Sequence, residues 1–202
     1  YEDLTNDGIV CFDVPNFKSN PADLFVYDHL SHFTRETLTN LLHISGFKIL
    51  KIVEDSDKIP LLIICSKSNN KKLHTNHYTL TKEILSKHIQ FNEEQFCIFE
   101  QVNEKYDKIG VVGNGISFWA GVQNTKLDQS KIMGIYDENE TIINTKISNI
   151  PIKDLQMISK DHIPLIFCLS PCYMENILKK ISKYNPLMFL PKNYNYYKSF
   201  FN

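Results

Sequence analysis

A chain of 202 residues is long enough for one large domain or two small ones, and 43% hydrophobic with 22% charged residues is ordinary globular composition. A net charge of −1 supplies no bulk field toward nucleic acid or anionic lipid, and no apolar run approaches the roughly 20 residues of a membrane span. Five scattered cysteines (Cys11, Cys65, Cys97, Cys168, Cys172) are an odd number, as expected of reduced thiols in a cytoplasmic protein. The chain opens on Tyr1 without a visible signal peptide, so it is expected to be cut from something longer or processed.

The first region is expected over residues 1–68. "GIVCFDVPN" is a short apolar run stopped by Pro15 and Asn16, which predicts a buried strand. Thr34 can cap a helix with Glu36 in its first turn, and Leu38, Leu41 and Leu42 form one apolar stripe along it. Gly46 suits the left-handed position that closes a helix. "FKILKIVED" and "IPLLIICSK" predict two more strands.

Residues 69–107 are polar, then turn helical from about Leu80, and read as a helical linker. Residues 108–202 have the rhythm of an α/β domain. "KIGVVGNG" is a strand running into glycines, "ISFWAGVQNTKL" a helix, and "KIMGIYDEN" a strand ending in acids. "HIPLIFCLSP", "CYMENILKKISKY" and "PLMFLP" continue as strand, helix and strand. Strands alternating with helices imply a parallel sheet covered on both faces.

Two places carry candidate chemistry. Asp28 and His29 adjoin each other between a strand and a helix start. They read either as a polar loop or as a base held over a pocket, because histidine titrates near neutrality and open α/β sheets bind ligands beyond their strand ends. His32 reads as a loop histidine. In the third region Gly113, Asn114 and Gly115 make a turn between strand and helix, and Asp137 ends the next strand, where a dinucleotide-binding acid would sit. Phe118 replaces the third glycine of the dinucleotide fingerprint, so the turn reads either as an inherited fold feature or as a cradle for a substrate phosphate.

Gly8–Asn16, Asp28–Phe47 and Lys48–Lys67, in that order, resemble the C-terminal half of a class I S-adenosylmethionine-dependent methyltransferase. Gly113-Asn114-Gly115 followed by Gly134-Ile135-Tyr136-Asp137-Glu138-Asn139 resembles the extra Rossmann-like domain of sugar C-methyltransferases. The resemblance implies an α/β chain: the C-terminal half of a Rossmann-like methyltransferase sheet, joined by helices to a second, small Rossmann-like parallel domain. It implies methyl transfer from S-adenosylmethionine to a small-molecule acceptor such as a sugar or nucleotide-linked sugar. The implied catalytic residues are His29 as general base with Asp28 and Tyr27 beside it, and the implied substrate-binding residues are Gly113, Asn114, Gly115 and Asp137. The family's Tyr-x-Glu-His is here Val26-Tyr27-Asp28-His29, with aspartate for glutamate. The glycine-rich turn and the acid with which the family grips S-adenosylmethionine are expected before Tyr1.

Two alternatives stand beside that expectation. One is a non-catalytic substrate-binding or assembly module with a Rossmann-like fold. The other is a nicotinamide-dependent oxidoreductase built on Gly113 and Gly115, against which Phe118 counts. No metal, nucleic-acid or membrane partner is expected. His74-x-x-His77 lacks companion ligands, Cys168-x-x-x-Cys172 lacks a second pair, and "NYNYYKSFF" lacks a basic groove.

Overall fold

The computed structural model describes residues 4–54, 60–68 and 75–198. Two sheets are present. In the first, β1 (Ile9–Pro15) and β2 (Phe47–Glu54) flank β3 (Pro60–Lys67), which runs antiparallel to both. Helix α1 (Arg35–Ile44) connects β1 to β2. Its start follows from Thr34, whose hydroxyl accepts from the Thr37 N–H while the Thr37 hydroxyl accepts from the Thr34 N–H. Gly46, at φ 86°, ends the helix and turns the chain into β2.

Leu38 and Leu42 of α1 pack on Leu61, Ile63 and Cys65 of β3, with Val10, Phe12 and Val14 of β1 around them. Full burial of each leucine stabilises by about 1.5–3 kcal/mol. Strand periodicity sends Ile9, Cys11, Asp13, Leu62 and Ile64 to the opposite face, and Ile9 is 65% exposed there. Among the described residues no strand pairs with the outer edge of β1.

Helix α2 (Tyr78–Lys105) follows as one continuous element of 28 residues. The second sheet has six strands in the order β6-β7-β5-β4-β8-β9. They are β4 (Ile109–Val112), β5 (Ile132–Asp137), β6 (Lys146–Ile147), β7 (Ile150–Asp154), β8 (Leu165–Phe167) and β9 (Met188–Phe189). All pairings are parallel except the short β6–β7 edge. From β4 outward the order is that of a Rossmann-like sheet, so the third region is the α/β unit its rhythm implies.

Strands β4 and β8 are buried along their whole length, as central parallel strands covered on both faces must be. On one face Val112, Tyr136, Leu165 and Phe167 meet α5 (Pro171–Ile181) and α6 (Tyr194–Lys198). On the other, Val111, Ile135 and Ile166 meet Phe99 and Val102 of α2 and Phe118 of α3 (Ile116–Asn124). Helix α4 (Ile158–Asp161) completes the set before β8. Phe118 is fully buried, and the small residue that lets α3 approach a neighbour is Gly121, whose added Cβ would lie 2.6 Å from Phe99 of α2.

Candidate functional site

Strand β1 leaves its sheet through Asn16, whose side chain accepts from the Lys18 N–H and donates to Glu54 Oε1 at 2.8 Å. The segment that follows is closed at its base, where the Phe17 N–H donates to the Phe33 carbonyl at 2.8 Å. Inside it, a 3-10 turn over Pro21–Phe25 carries Asp23, which is 1% exposed. A carboxylate this deep needs donors on its oxygens. It has two: His29 Nδ1 lies 2.7 Å from Oδ1, and His32 Nδ1 lies 2.6 Å from Oδ2.

A carboxylate oxygen accepts, so each Nδ1 is the donor; in a neutral imidazole the Nε2 then keeps a lone pair. Both imidazoles are about one-third exposed, at 33% and 30%. Two rings are thus anchored through Nδ1 on one buried acid, and among the described residues neither Nε2 has a hydrogen-bond partner.

The segment is fixed from below by α2. His88, fully buried, donates from Nε2 to the Phe17 carbonyl, and its Nδ1 accepts from the Tyr197 hydroxyl at 2.6 Å. Burial lowers the His88 pKa to about 4, against the smaller raising effect of its bond to Phe17. Burial also pushes the Tyr197 phenol up, so it stays a donor. The Phe17 ring stacks on His32 at 4.8 Å and meets His88 edge-on at 4.6 Å. Asn92 Nδ2 donates to the Pro21 carbonyl at 3.0 Å, and Ser170 Oγ at the start of α5 donates to Asn20 Oδ1 at 3.1 Å. These contacts join the first region's Asn16–Phe33 segment to α2, which had been expected to be only a linker, and to the second sheet.

The candidate residues thus separate. His29 belongs to the Asp23 cluster. Asp28 is exposed, and Tyr27, 95% exposed, stands at the tip of the segment. The acid on His29 is Asp23, six residues away, not its neighbour Asp28. His32, expected to be a plain loop residue, shares that carboxylate. Asp23 escaped the sequence reading because "NPADLF" has the look of a capped turn, with the acid serving the turn rather than a distant ring.

Gly113 and Asp137 come together at a second place, the carboxyl ends of β4 and β5, while Gly115 is exposed and does not line the cleft there. Gly113 has φ +89°, and an added Cβ would lie 2.5 Å from Leu169 Cδ2. Gly115 precedes the first turn of α3, and no atom stands within 4 Å of where its Cβ would be. Asp137 Oδ1 accepts from the Asn139 N–H at 2.9 Å. A cleft of about 460 Å³ opens there, lined by Gly113, Asp137, Asn139, Leu169, Tyr173 and Asn176 among others. Asn114 lies between the two glycines and is half-buried.

The remaining motifs bring together no site. His77 is half-buried just before α2, and His74 lies outside the described residues. Among the described residues no group of three or more His, Cys, Asp or Glu side chains could hold a metal ion. Cys168 is buried in the core and its thiol is pushed well up by that burial; Cys172 is buried at the start of α5. Of the aromatic tail, Tyr194 and Tyr197 are core residues, while Phe200 and Phe201 lie outside the described residues.

No family model matches the chain, and no curated protein matches it. Among solved structures it is similar to the crystal structure of a Rex-family repressor, at 17% identity and a TM-score of 0.35. That match covers 58% of this chain and 55% of the repressor chain, so the chain spans little more than half the length of that relative. The fold itself is mixed α/β, with a six-stranded, mostly parallel Rossmann-like sheet flanked by helices.

Proposed function

We propose that the chain is the acceptor-side part of a methyltransferase that uses S-adenosylmethionine and acts on a small-molecule acceptor, a sugar or nucleotide-linked sugar. The supporting observation is the Asp23 carboxylate with His29 Nδ1 on one oxygen. It orients His29 with Nε2 free to remove a proton from an acceptor hydroxyl or from a carbon beside a carbonyl. Base catalysis of this kind contributes about 10²–10⁴-fold in rate. The Asp23 charge faces the imidazolium that forms, and Phe17 and His88 keep the segment in place behind it.

S-adenosylmethionine, when bound, supplies the methyl group. The described residues of the first sheet do not make a cradle for it: β1 leaves through Pro15 and Asn16, without a glycine-rich turn into a helix. In this proposal the methyl donor is held by chain outside the described residues, against the unpaired edge of β1.

The test is a methyl-transfer assay on the complete gene product, with labelled S-adenosylmethionine and a panel of sugar nucleotides. Transfer that is lost in His29→Ala supports the proposal; transfer that His29→Ala leaves intact, or no transfer to any acceptor, sinks it. The Gly113 cleft favours a second reading, a substrate-binding or assembly module without turnover, which predicts ligand binding and no transfer.

A further inference from the structure

We propose that the cavity between α1, β2 and the segment leading into α2 binds a small zwitterion, a free α-amino acid, with its ammonium on Glu36 and Thr39 and its carboxylate on Arg35. No residue of the Asp23 cluster lines this cavity, so the site is separate from the function proposed above and does not rest on it.

The cavity follows from how α1 is used. Leu38 and Leu42 give one side of the helix to the first sheet. Arg35, Glu36, Thr39 and Asn40, at i, i+1, i+4 and i+5, form the adjoining stripe. Asn40 pins the opposite wall: its Oδ1 accepts from the Thr75 N–H at 3.0 Å, and its Nδ2 donates to the Thr75 carbonyl at 3.2 Å. With Ile52 of β2, these residues surround about 300 Å³, at the small end of the ~300–1,000 Å³ range of ligand pockets.

Two oxygens of this lining select the ligand. Glu36 Oε2 and Thr39 Oγ1 are closed to solvent, and neither has a hydrogen-bond partner. Native structures leave few such groups, because an unpaired buried oxygen loses the hydrogen bonds that water gave it. Both residues line the cavity, so a side-chain rotation presents either oxygen to a ligand within it. A carboxylate only accepts, so its missing partner is a donor, while a hydroxyl takes either kind. An ammonium is the donor that also matches the charge, and its three N–H groups suffice for both oxygens. Arg35 supplies the opposite pole. Its side chain is 54% exposed, and Nη1 lies 3.8 Å from Glu54 Oε2, beyond hydrogen-bond length, so the guanidinium fork is open to a carboxylate. Arg35 and Glu36 are adjacent and opposite in charge, so a ligand with a single charge leaves one pole unmatched. Ile52 offers an apolar contact to an aliphatic side chain.

The experiment is calorimetric titration of the chain with L-alanine, L-valine and L-leucine, and with the N-acetyl derivative and the amide of each. The first derivative has no ammonium and the second no carboxylate. At least one free amino acid is expected to bind and to raise the thermal midpoint, with both of its derivatives about 10- to 100-fold weaker. Glu36→Gln, which keeps the volume, should weaken the free amino acid by a similar factor. Arg35→Gln, at an exposed side chain, should weaken the free amino acid and leave the amide unchanged. The two variants alter different poles, so misfolding of one leaves the other as the test. Glu104→Gln, exposed on α2 and outside the cavity, is the control and should change nothing. Failure of all three amino acids to bind at millimolar concentration overturns the proposal, as does equal binding of the free form and either derivative, or undiminished binding in Glu36→Gln or Arg35→Gln.

Discussion

Asp23 and His32 stand nine residues apart in sequence, yet Oδ2 of the first lies 2.6 Å from Nδ1 of the second, while Oδ1 serves His29 in the same way. One buried carboxyl group therefore orients two imidazoles. Asp23→Asn keeps the volume but puts an amide NH₂ against one ring N–H. It should cost about 1–3 kcal/mol of stability in urea unfolding and, under the proposed function, lower the methyl-transfer rate by about 10²-fold. Asp28→Asn, on the exposed side of the segment, should stay within about 0.5 kcal/mol of the parent. Equal effects of the two substitutions would remove Asp23 from the site.

The two turn glycines differ in what they forbid. Gly113 combines φ +89° with Leu169 Cδ2 only 2.5 Å from an added Cβ. Gly113→Ala should therefore destabilise by about 1–3 kcal/mol. Gly115 has φ −73° and open space, so Gly115→Ala should leave the thermal midpoint nearly unchanged. A ranking in the opposite order would mean that the turn is built differently.

What was legible in the sequence were features with a period or a cap. Leu38 and Leu42 of the stripe, the Thr34 cap, the Gly46 stop and the strands over Ile109–Val112 and Ile132–Asp137 fall where local rules put them, whereas Leu41 of the same stripe is 41% exposed. Strand β7, Ile150–Asp154, was not expected, because Pro151 and the preceding "SN" break the run and only pairing with β5 makes it a strand. The Asp23 cluster was illegible for a different reason. Its members come from a turn, a segment tip, a helix and the tail, at sequence separations up to 109 residues, and no local spacing encodes them. Gly113 and Asp137 lie side by side because neighbouring parallel strands bring their own ends together.

Tyr197 ties the tail to the same cluster. Its hydroxyl donates to His88 Nδ1 at 2.6 Å in a site closed to water. Tyr197→Phe keeps the ring contact with Phe91 at 5.1 Å but leaves His88 Nδ1 as an unpaired buried acceptor. The expected loss is about 1–2 kcal/mol in chemical unfolding at pH 7. An unchanged midpoint would show that the hydroxyl contributes nothing net to stability.

His88 makes acid sensitivity a property of the interior. Both of its nitrogens are committed in the neutral form: Nε2–H to the Phe17 carbonyl, Nδ1 to the Tyr197 hydroxyl. Burial lowers its pKa to about 4 in the folded chain, from 6.5 when it is exposed. Between those values the unfolded chain holds a proton that the folded chain lacks, so unfolding takes up a proton and stability falls as pH falls. The loss begins near pH 6.5 and is complete near pH 4, amounting to about 3 kcal/mol at most. His88→Gln can still donate to the Phe17 carbonyl and cannot titrate. Its stability at pH 7 should be lower than the parent's, but its decline between pH 6.5 and 4 should be shallower. Urea unfolding of both proteins across that range measures the difference in slope directly. Parallel curves would mean that His88 is not the group that titrates on unfolding. Because His88 holds Phe17 under His32, protonating it would also loosen the segment that carries Asp23. If the proposed methyl transfer is observed, its rate should therefore fall on the acid side together with stability, and less steeply in His88→Gln.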